Sequence, residues 1–169
     1  MYLPGSGSST TTTAPYLPHN LNLAAGSGTA SSLTNNSKSA VGYADAADAV
    51  RRWCPNVPTD YTGAFGIDVA ILFTLPAGGS SQVVRLKLDY DFVTVGALGT
   101  DTQIVNDLVL TASTDILTRV ILGTIPHAAV NIAADLFTLQ ISRDGTAVAD
   151  TFTSTFYIHK IILEQRPAA

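Results

Sequence analysis

The residues of this chain that could do chemistry are few and scattered. Asp89 and Asp91 are carboxylates at alternate positions, a spacing that places two acids on one face of a strand, where they could ligate calcium or share a proton. The histidines, His19, His127 and His159, lie far apart and lack the His-x-His or His-x-x-x-His spacing of a metal site. We therefore expect no catalytic centre, no metal and no other cofactor.

Motifs for nucleophiles and phosphate binding are missing as well. The chain has no G-x-S-x-G elbow, and its glycine-rich runs at 5–9 and 26–29 lack the lysine and the following helix of a phosphate loop. Cys54 is the single cysteine, so it can form neither an intrachain disulfide nor a cysteine zinc site. We expect it to be a small buried hydrophobe beside Trp53.

The two carboxylates lie on the most regular strand pattern in the chain, residues 82–93. Apolar Val84, Leu86, Leu88, Tyr90 and Phe92 alternate there with charged Arg85, Lys87, Asp89 and Asp91. This alternation predicts a strand with one buried face and one face in water. We interpret the four charged residues as a stripe of cross-strand pairs. The stripe is also a candidate contact between subunits.

The rest of the C-terminal region also predicts strands. They fall at 65–75, 102–112, 116–125, 134–142 and 151–165, with turn residues between them. On the last strand, His159 is expected to share a face with Tyr157 and Ile161. Residues 41–56 are ambiguous: Ala44–Trp53 has the composition of a short helix, which we favour, but Val41, Tyr43 and Trp53 could instead line a strand.

The composition favours an all-β protein. Of the 169 residues, 46% are hydrophobic and only 13% are charged, and a single glutamate accompanies 21 threonines. Such a chain is a poor helix bundle and suits a sandwich. We predict a jelly-roll-like antiparallel β-sandwich, with a small closed barrel as the alternative. A net charge of -4 without a basic cluster argues against nucleic-acid binding, and no apolar run is long enough to span a membrane.

The first 40 residues differ from the remainder. No charged side chain precedes Lys38, and the segment is rich in Gly, Ser, Thr, Ala and Asn. Alone, such a segment cannot bury enough apolar surface to fold. We therefore predict an extended N-terminal arm at 1–40, which orders against a neighbouring subunit, and a sandwich domain at 41–169. The apolar contacts of the arm would be Tyr2, Leu3, Pro4, Tyr16, Leu17, Pro18, Leu21 and Leu23.

Several sequence segments in the C-terminal two-thirds carry a resemblance to known proteins. They are WCPN at 53–56, GIDVAILFTLPAG at 66–78, VRLKLDYDF at 84–92, LGTIP at 122–126, AADLFTLQISRDG at 133–145 and DTFTSTFYIHKIILE at 150–164. Together they resemble the jelly-roll modules of tailed-bacteriophage virions, which occur in capsid decoration (cement) proteins and in tail-fibre and baseplate tips. The resemblance covers residues 53–165 and implies a trimer without catalysis.

The resemblance implies a non-enzymatic virion protein, assembled in the host cytoplasm and placed on the outer capsid surface. We expect a homotrimer that clamps neighbouring major capsid subunits through the arm, since the chain is short for a fibre shaft. The first alternative is a tail-fibre or baseplate component that binds a host glycan through the loops 76–81 and 143–150. A carbohydrate-binding module is disfavoured, because only Tyr43, Trp53 and Tyr61 could form the exposed aromatic platform that such a module needs. A cupin-like metal enzyme is the second alternative, although the histidine pattern of such barrels is missing.

Overall fold

The computed structural model shows an all-β chain. It describes residues 19–20, 31–35, 38–45, 49–57, 61, 65–76, 81–111 and 115–166. These ranges form ten strands and one 3₁₀ turn, His127–Ala129. The strands are β1 His19–Asn20, β2 Ser31–Asn35, β3 Lys38–Tyr43, β4 Ala49–Trp53, β5 Ile67–Thr74, β6 Val83–Val93, β7 Thr102–Val109, β8 Thr118–Ile125, β9 Leu136–Arg143 and β10 Phe156–Gln165.

The strands form two antiparallel sheets packed face to face as a sandwich. One sheet has the order β2-β3-β10-β5-β8, and β1 pairs with β10 beyond the end of β3. The other sheet has the order β4-β9-β6-β7. The pairing of the described strands is antiparallel throughout. The predicted jelly-roll-like β-sandwich is thus confirmed.

The core lies between the inward faces that the alternating patterns predicted. The inward residues of β5 and β6 are each at most 3% exposed: Ile67, Val69, Ile71, Phe73, Val84, Leu86, Leu88 and Tyr90. Burying a Leu, Ile or Val side chain contributes roughly 1.5–3 kcal/mol, so these two strands supply much of the folding energy. β5 lies between β10 and β8, and its outward residues Asp68 and Ala70 are buried as well.

The favoured helix at Ala44–Trp53 is wrong, and the strand alternative is right. Residues 49–53 form β4, which pairs with β9 along its whole length, from Ala49 opposite Arg143 to Trp53 opposite Leu139. Alternate residues of β4 face the core, so that Trp53 is 4% exposed. Pairing with a strand some 90 residues away overrides the local helical composition, because burial of alternate side chains outweighs intrinsic preference.

The six-stranded sheet begins before the predicted domain boundary. β3 runs from Lys38 to Tyr43, across residue 40, and β2 pairs with it. β1 also belongs to this sheet, through its pairing with β10. Residues 1–18 and 21–30 lie outside the described residues, and with them all eight predicted arm contacts, Tyr2, Leu3, Pro4, Tyr16, Leu17, Pro18, Leu21 and Leu23. Their role stays a prediction.

A β-bulge on β10 changes the expected orientation of His159. The register with β5 shifts between Ile158 and Lys160, so Ile158 and Ile161 both face the core while His159 is partly exposed. The Nδ1 atom of His159 donates to the Ser39 carbonyl oxygen at 3.0 Å, and Nε2 lies 2.7 Å from the Thr74 hydroxyl. The predicted shared face with Ile161 is therefore wrong. Instead, the imidazole ties β10 to β3 and β5.

The last residue of β9, Arg143, is fully buried and forms an ion pair with Asp150. The Nε atom donates to Asp150 Oδ2 at 2.9 Å and Nη2 donates to Oδ1 at 2.8 Å, a two-pronged geometry. Both side chains are 0% exposed. The Asp150 carboxylate also accepts the backbone N–H of Arg85, at 3.0 Å. The pair therefore fastens the 144–155 loop to β9 and β6.

Backbone carbonyls and a second acid satisfy the remaining donors of the guanidinium. Nη1 donates to the carbonyl oxygens of Tyr43 at 3.2 Å and Ser154 at 2.6 Å. Nη2 also donates to the Phe152 carbonyl oxygen and to Asp45 Oδ1. Gly145 fits here because a Cβ would overlap the backbone carbonyl of Asp45. One buried cation thus joins both sheets to two loops.

The substitution Asp150→Ala should strongly destabilise the fold. It leaves a buried guanidinium without its main partner, and breaking a buried pair in this way costs about 3–5 kcal/mol. Urea denaturation followed by circular dichroism measures the loss. The control is Asp107→Ala, which removes the exposed Arg85–Asp107 pair and should cost about 0–1 kcal/mol. Equal losses in the two variants would contradict the role assigned to Arg143.

Candidate interaction surfaces

The charged stripe on β6 forms pairs within the chain. Arg85 faces Asp107 on β7, with Nη1 3.6 Å from Oδ2. Lys87 Nζ lies 2.7 Å from Oδ2 of Asp144, in the turn after β9. These contacts agree with the interpretation as a paired stripe. Whether the face also contacts another subunit stays a prediction.

The third stripe residue, Asp89, is the centre of a polar row that crosses all four strands of the second sheet. Its carboxylate accepts from Gln103 Nε2 at 2.8 Å and from Gln140 Nε2 at 3.0 Å. Gln140 Oε1 in turn accepts from Arg52 Nε at 3.0 Å. Asp89 is only 7% exposed. The side chains of this row are thus hydrogen-bonded to one another across the outer face of the sheet.

The fourth stripe residue, Asp91, lies under the loop between β6 and β7. The loop passes so close that a Cβ added at Gly99 would overlap the Asp91 carboxylate. From the same loop, Asp101 reaches back across the sheet to within 3.6 Å of Arg52. The Asp89 carboxylate is thus bound to Gln103 and Gln140, whereas the Asp91 carboxylate lies against the loop at Gly99.

His127 and His159 have separate hydrogen-bond partners in the described part of the chain. His127 Nδ1 lies 3.1 Å from the Tyr61 hydroxyl, which accepts the Gly66 N–H at 3.0 Å and so has its own hydrogen available for the ring. His159 binds β3 and β5 instead. Across the described ranges, no group of three His, Cys, Asp or Glu side chains is placed to hold a metal. Nor does this part of the chain include a helix long and apolar enough to cross a membrane.

The expected burial of Cys54 is wrong, and the disfavoured aromatic platform does not form. Cys54 is exposed rather than buried, because it follows the last residue of β4 and leaves the sheet. Tyr43, Trp53 and Tyr61 cannot form an exposed aromatic platform, since none is more than 6% exposed. Burial also raises the pKa of Tyr43 far above its ordinary value. All three rings belong to the core.

The turn around Arg143 is not free to bind a glycan at its ends. Arg143 and Asp150 are fully buried and bound to each other. Between them, Val148 is 99% exposed and the turn residue Asp144 is held by Lys87. The other candidate glycan loop, 76–81, is described only at Pro76 and Ser81. The structure therefore removes the two charged ends of 143–150 from any such site.

Large apolar side chains are exposed together at one end of the sandwich. The β6–β7 loop carries Val95 and Leu98, 84% and 97% exposed. Ile132, 48% exposed, lies in the β8–β9 connection, and Leu136, 42% exposed, is the first residue of β9. Asp135 ties the two loops: its N–H donates to the Val93 carbonyl, and its carboxylate accepts the Val95 N–H at 2.7 Å. We call Val95, Leu98, Ile132 and Leu136 the apolar loop patch.

A second apolar surface follows the side where β7 and β8 form the ends of their sheets. It consists of Val105, Val109, Ile116, Leu117 and Ile121, each between 41% and 57% exposed. The two edges lie against each other, with Asn106 Nδ2 donating to the Leu122 carbonyl at 2.8 Å. Contiguous exposed apolar side chains on a sheet edge are typical of contact with another chain.

Comparisons with known proteins assign no family to the chain. No family model and no curated protein matches it. One similar solved structure contains the CBM22-1 and GH10 modules of endo-1,4-β-D-xylanase 10B from Clostridium thermocellum, in complex with xylohexaose. The two chains share 15% identity with a TM-score of 0.45, over 90% of this chain and 26% of that one. The chain thus spans about a quarter of that protein's length.

Sequence reasoning singled out the β6 stripe but missed both apolar surfaces. A signal was present: Val95 and Leu98 are apolar residues in a glycine-containing loop, where polar side chains are usual. The buried ion pair had no such signal, because Arg143-Asp144-Gly145 has the composition of an ordinary turn. Only the fold shows that the arginine points inward.

The substitution Lys87→Met should raise the pKa of Asp144. That pKa lies below its ordinary value, chiefly because Lys87 donates a hydrogen bond to the carboxylate and with a smaller contribution from Arg85. A lowered folded-state pKa stabilises the fold above the unfolded pKa, and this contribution is lost as the pH falls through the folded value. The free energy of unfolding of the variant should therefore fall less steeply with decreasing pH than that of the unsubstituted protein.

A side-chain NMR titration of Asp144 measures this effect. The matched control, Arg85→Met, should raise the Asp144 pKa by less than Lys87→Met does. An unchanged Asp144 pKa in the Lys87 variant would show that the contact does not persist in solution.

Proposed function

We propose that the protein is a non-enzymatic structural component of a bacteriophage virion. Specifically, it is a capsid decoration protein that forms a homotrimer on the outer capsid surface. Its N-terminal arm clamps neighbouring major capsid subunits. The resemblance of residues 53–165 to virion jelly-roll modules supports this proposal, as does the uncharged arm before Lys38.

The observation that carries the proposal is the distribution of exposed apolar side chains. They gather in the apolar loop patch and along the β7–β8 side, where Leu98 reaches 97% exposure. Contiguous apolar surface of this kind marks contact with other proteins and would promote aggregation of an isolated subunit. In a decoration protein, the other subunits of the trimer and the capsid would cover it.

The polar outer face of the second sheet favours a rigid spacer over a binding cleft. The row through Asp89 and the pair Lys87–Asp144 satisfy their polar groups within the chain. A face already hydrogen-bonded to itself gains little from a polar ligand, because each new bond replaces an existing one. This face therefore suits a structural role better than the binding of a polar ligand.

A trimer with three arms suits the mechanical task of a decoration protein. Each arm adds buried area across a junction between capsid subunits, and simultaneous contacts act at high effective concentration. An uncharged extended segment can add backbone hydrogen bonds to a neighbouring sheet edge with little desolvation of charge. Weak individual contacts can therefore combine into a durable clamp.

The tail-component alternative has less support. Glycan recognition would need exposed polar or aromatic groups, but Arg143 and Asp150 are bound to each other, and Tyr43, Trp53 and Tyr61 lie in the core. The metal-enzyme alternative has no cluster of ligands in the described ranges to support it. Neither alternative is proposed as a second function.

Deleting residues 1–18 should abolish capsid binding while leaving the sandwich folded. The deletion stops before His19 because β1, β2 and β3 belong to the sheet, and a deletion of 1–40 would also remove β1, β2 and half of β3. Binding is measured by cosedimentation with empty expanded capsids of the phage that encodes the chain. We expect at least a tenfold loss of affinity.

The control for this deletion is its far-UV circular dichroism spectrum, which should keep the strand signal of the full chain because the described strands begin at His19. A matched variant replaces Leu3 and Leu17 with serine in the full-length arm and should weaken binding in the same direction. A folded deletion variant that still saturates the capsids would contradict the clamp.

A further inference from the structure

The N-terminal end of β1 lies toward one particular end of the sandwich. β1 is antiparallel to β10, with His19 opposite Leu163 and Asn20 opposite Ile162. The N-terminal end of β1 is therefore directed toward the C-terminal end of β10, at Gln165. The backbone nitrogen of His19, to which the preceding residues are bonded, therefore lies on the side of β1 nearest that end.

The apolar loop patch lies at this same end. Gln165 pairs with Ile67 on β5, and Ile67 pairs with Ile125, the last residue of β8. The connection from β8 to β9 starts directly after Ile125 and carries Ile132. Asp135 binds this connection to the β6–β7 loop and so fixes the patch at the end where the arm begins.

The length of the arm allows its distal apolar group to reach another copy of the chain. An extended chain spans at most about 3.3–3.6 Å per residue, so Tyr2 can lie up to roughly 60 Å from His19. A domain of this size is about 40 Å across, from its expected radius of gyration. Tyr2–Pro4 can therefore pass the limits of its own sandwich, whereas Tyr16–Pro18 stays close to β1.

The chemistry of the two surfaces is complementary. Tyr2-Leu3-Pro4 combines an aromatic, an aliphatic and a proline that favours extended backbone, and no charge occurs before Lys38. The apolar loop patch presents four aliphatic side chains, two of them at least 84% exposed. Contact between an uncharged segment and aliphatic side chains removes both from water without desolvating an ionised group.

We propose that Tyr2–Pro4 of one copy docks on the apolar loop patch of a second copy. This arm exchange links the copies of the homo-oligomer and rests on the homo-oligomer of the proposed function. It leaves the proximal apolar groups, Tyr16–Pro18 and Leu21–Leu23, for the capsid. The partner of the patch is thus another copy of this chain and not the capsid protein.

Disulfide trapping between two differently labelled copies tests the exchange. Both copies carry Cys54→Ser, which removes the exposed native thiol. One copy then carries Leu3→Cys and the other Leu98→Cys, and the mixture is oxidised under mild conditions. We expect the mixed disulfide dimer, identified by mass spectrometry, to form at least ten times faster than with the control partner.

The control partner is Val148→Cys, which matches Leu98 in exposure at 99% against 97%. Val148 lies in the loop after β9, which is bonded to the start of β6 through Arg85 and Val83, whereas Leu98 follows the end of β6. The two cysteines are therefore equally accessible at opposite ends of the sandwich. Equal trapping rates would overturn the proposal.

A double variant with Leu3→Cys and Leu98→Cys in one chain distinguishes docking within a chain from docking between chains. If the disulfide forms within that chain and mixed dimers do not form, the arm docks on its own sandwich and the proposal fails. The readout uses the full chain without capsids. If the disulfide forms between copies but the chain does not bind capsids, the capsid-decoration role is contradicted while the arm exchange is supported.

Discussion

The buried guanidinium of Arg143 is the constraint on which the rest of the fold depends. A cation at 0% exposure must have every donor satisfied, and here two carboxylates and three backbone carbonyls do so. Meeting that demand brings the end of β3, the end of β9 and the 144–155 loop to one point. The hydrophobic core supplies the bulk of the stability, while this cluster determines how the loops close over one end.

Local alternation was sufficient to predict the sandwich but not its irregular points. β5 and β6 follow the period of two expected of strands, so their inward residues could be assigned from the sequence. β4 could not, because its strand conformation depends on pairing with the distant β9. The bulge at His159 was equally invisible, since one extra residue in a strand leaves no mark in composition.

The candidate surfaces were predictable only in part, for a related physical reason. Charged residues on β6 were recognisable as an outer face, but their partners Asp107, Asp144 and Gln140 come from other strands and turns. Apolar residues in loops look like core residues until the fold shows that nothing in the described chain covers them, as at Leu98. The candidate contact surfaces are thus the apolar loop patch and the β7–β8 side rather than the charged face of β6.

We propose that these apolar surfaces belong to a multi-subunit assembly. Multi-angle light scattering of the full chain, coupled to size exclusion, tests it most directly because it reports mass independently of shape. We expect a single species at three times the 17.6 kDa mass of one chain. A stable species with the mass of one chain at micromolar concentration would contradict the claim, since the exposed aliphatic side chains would then remain in water.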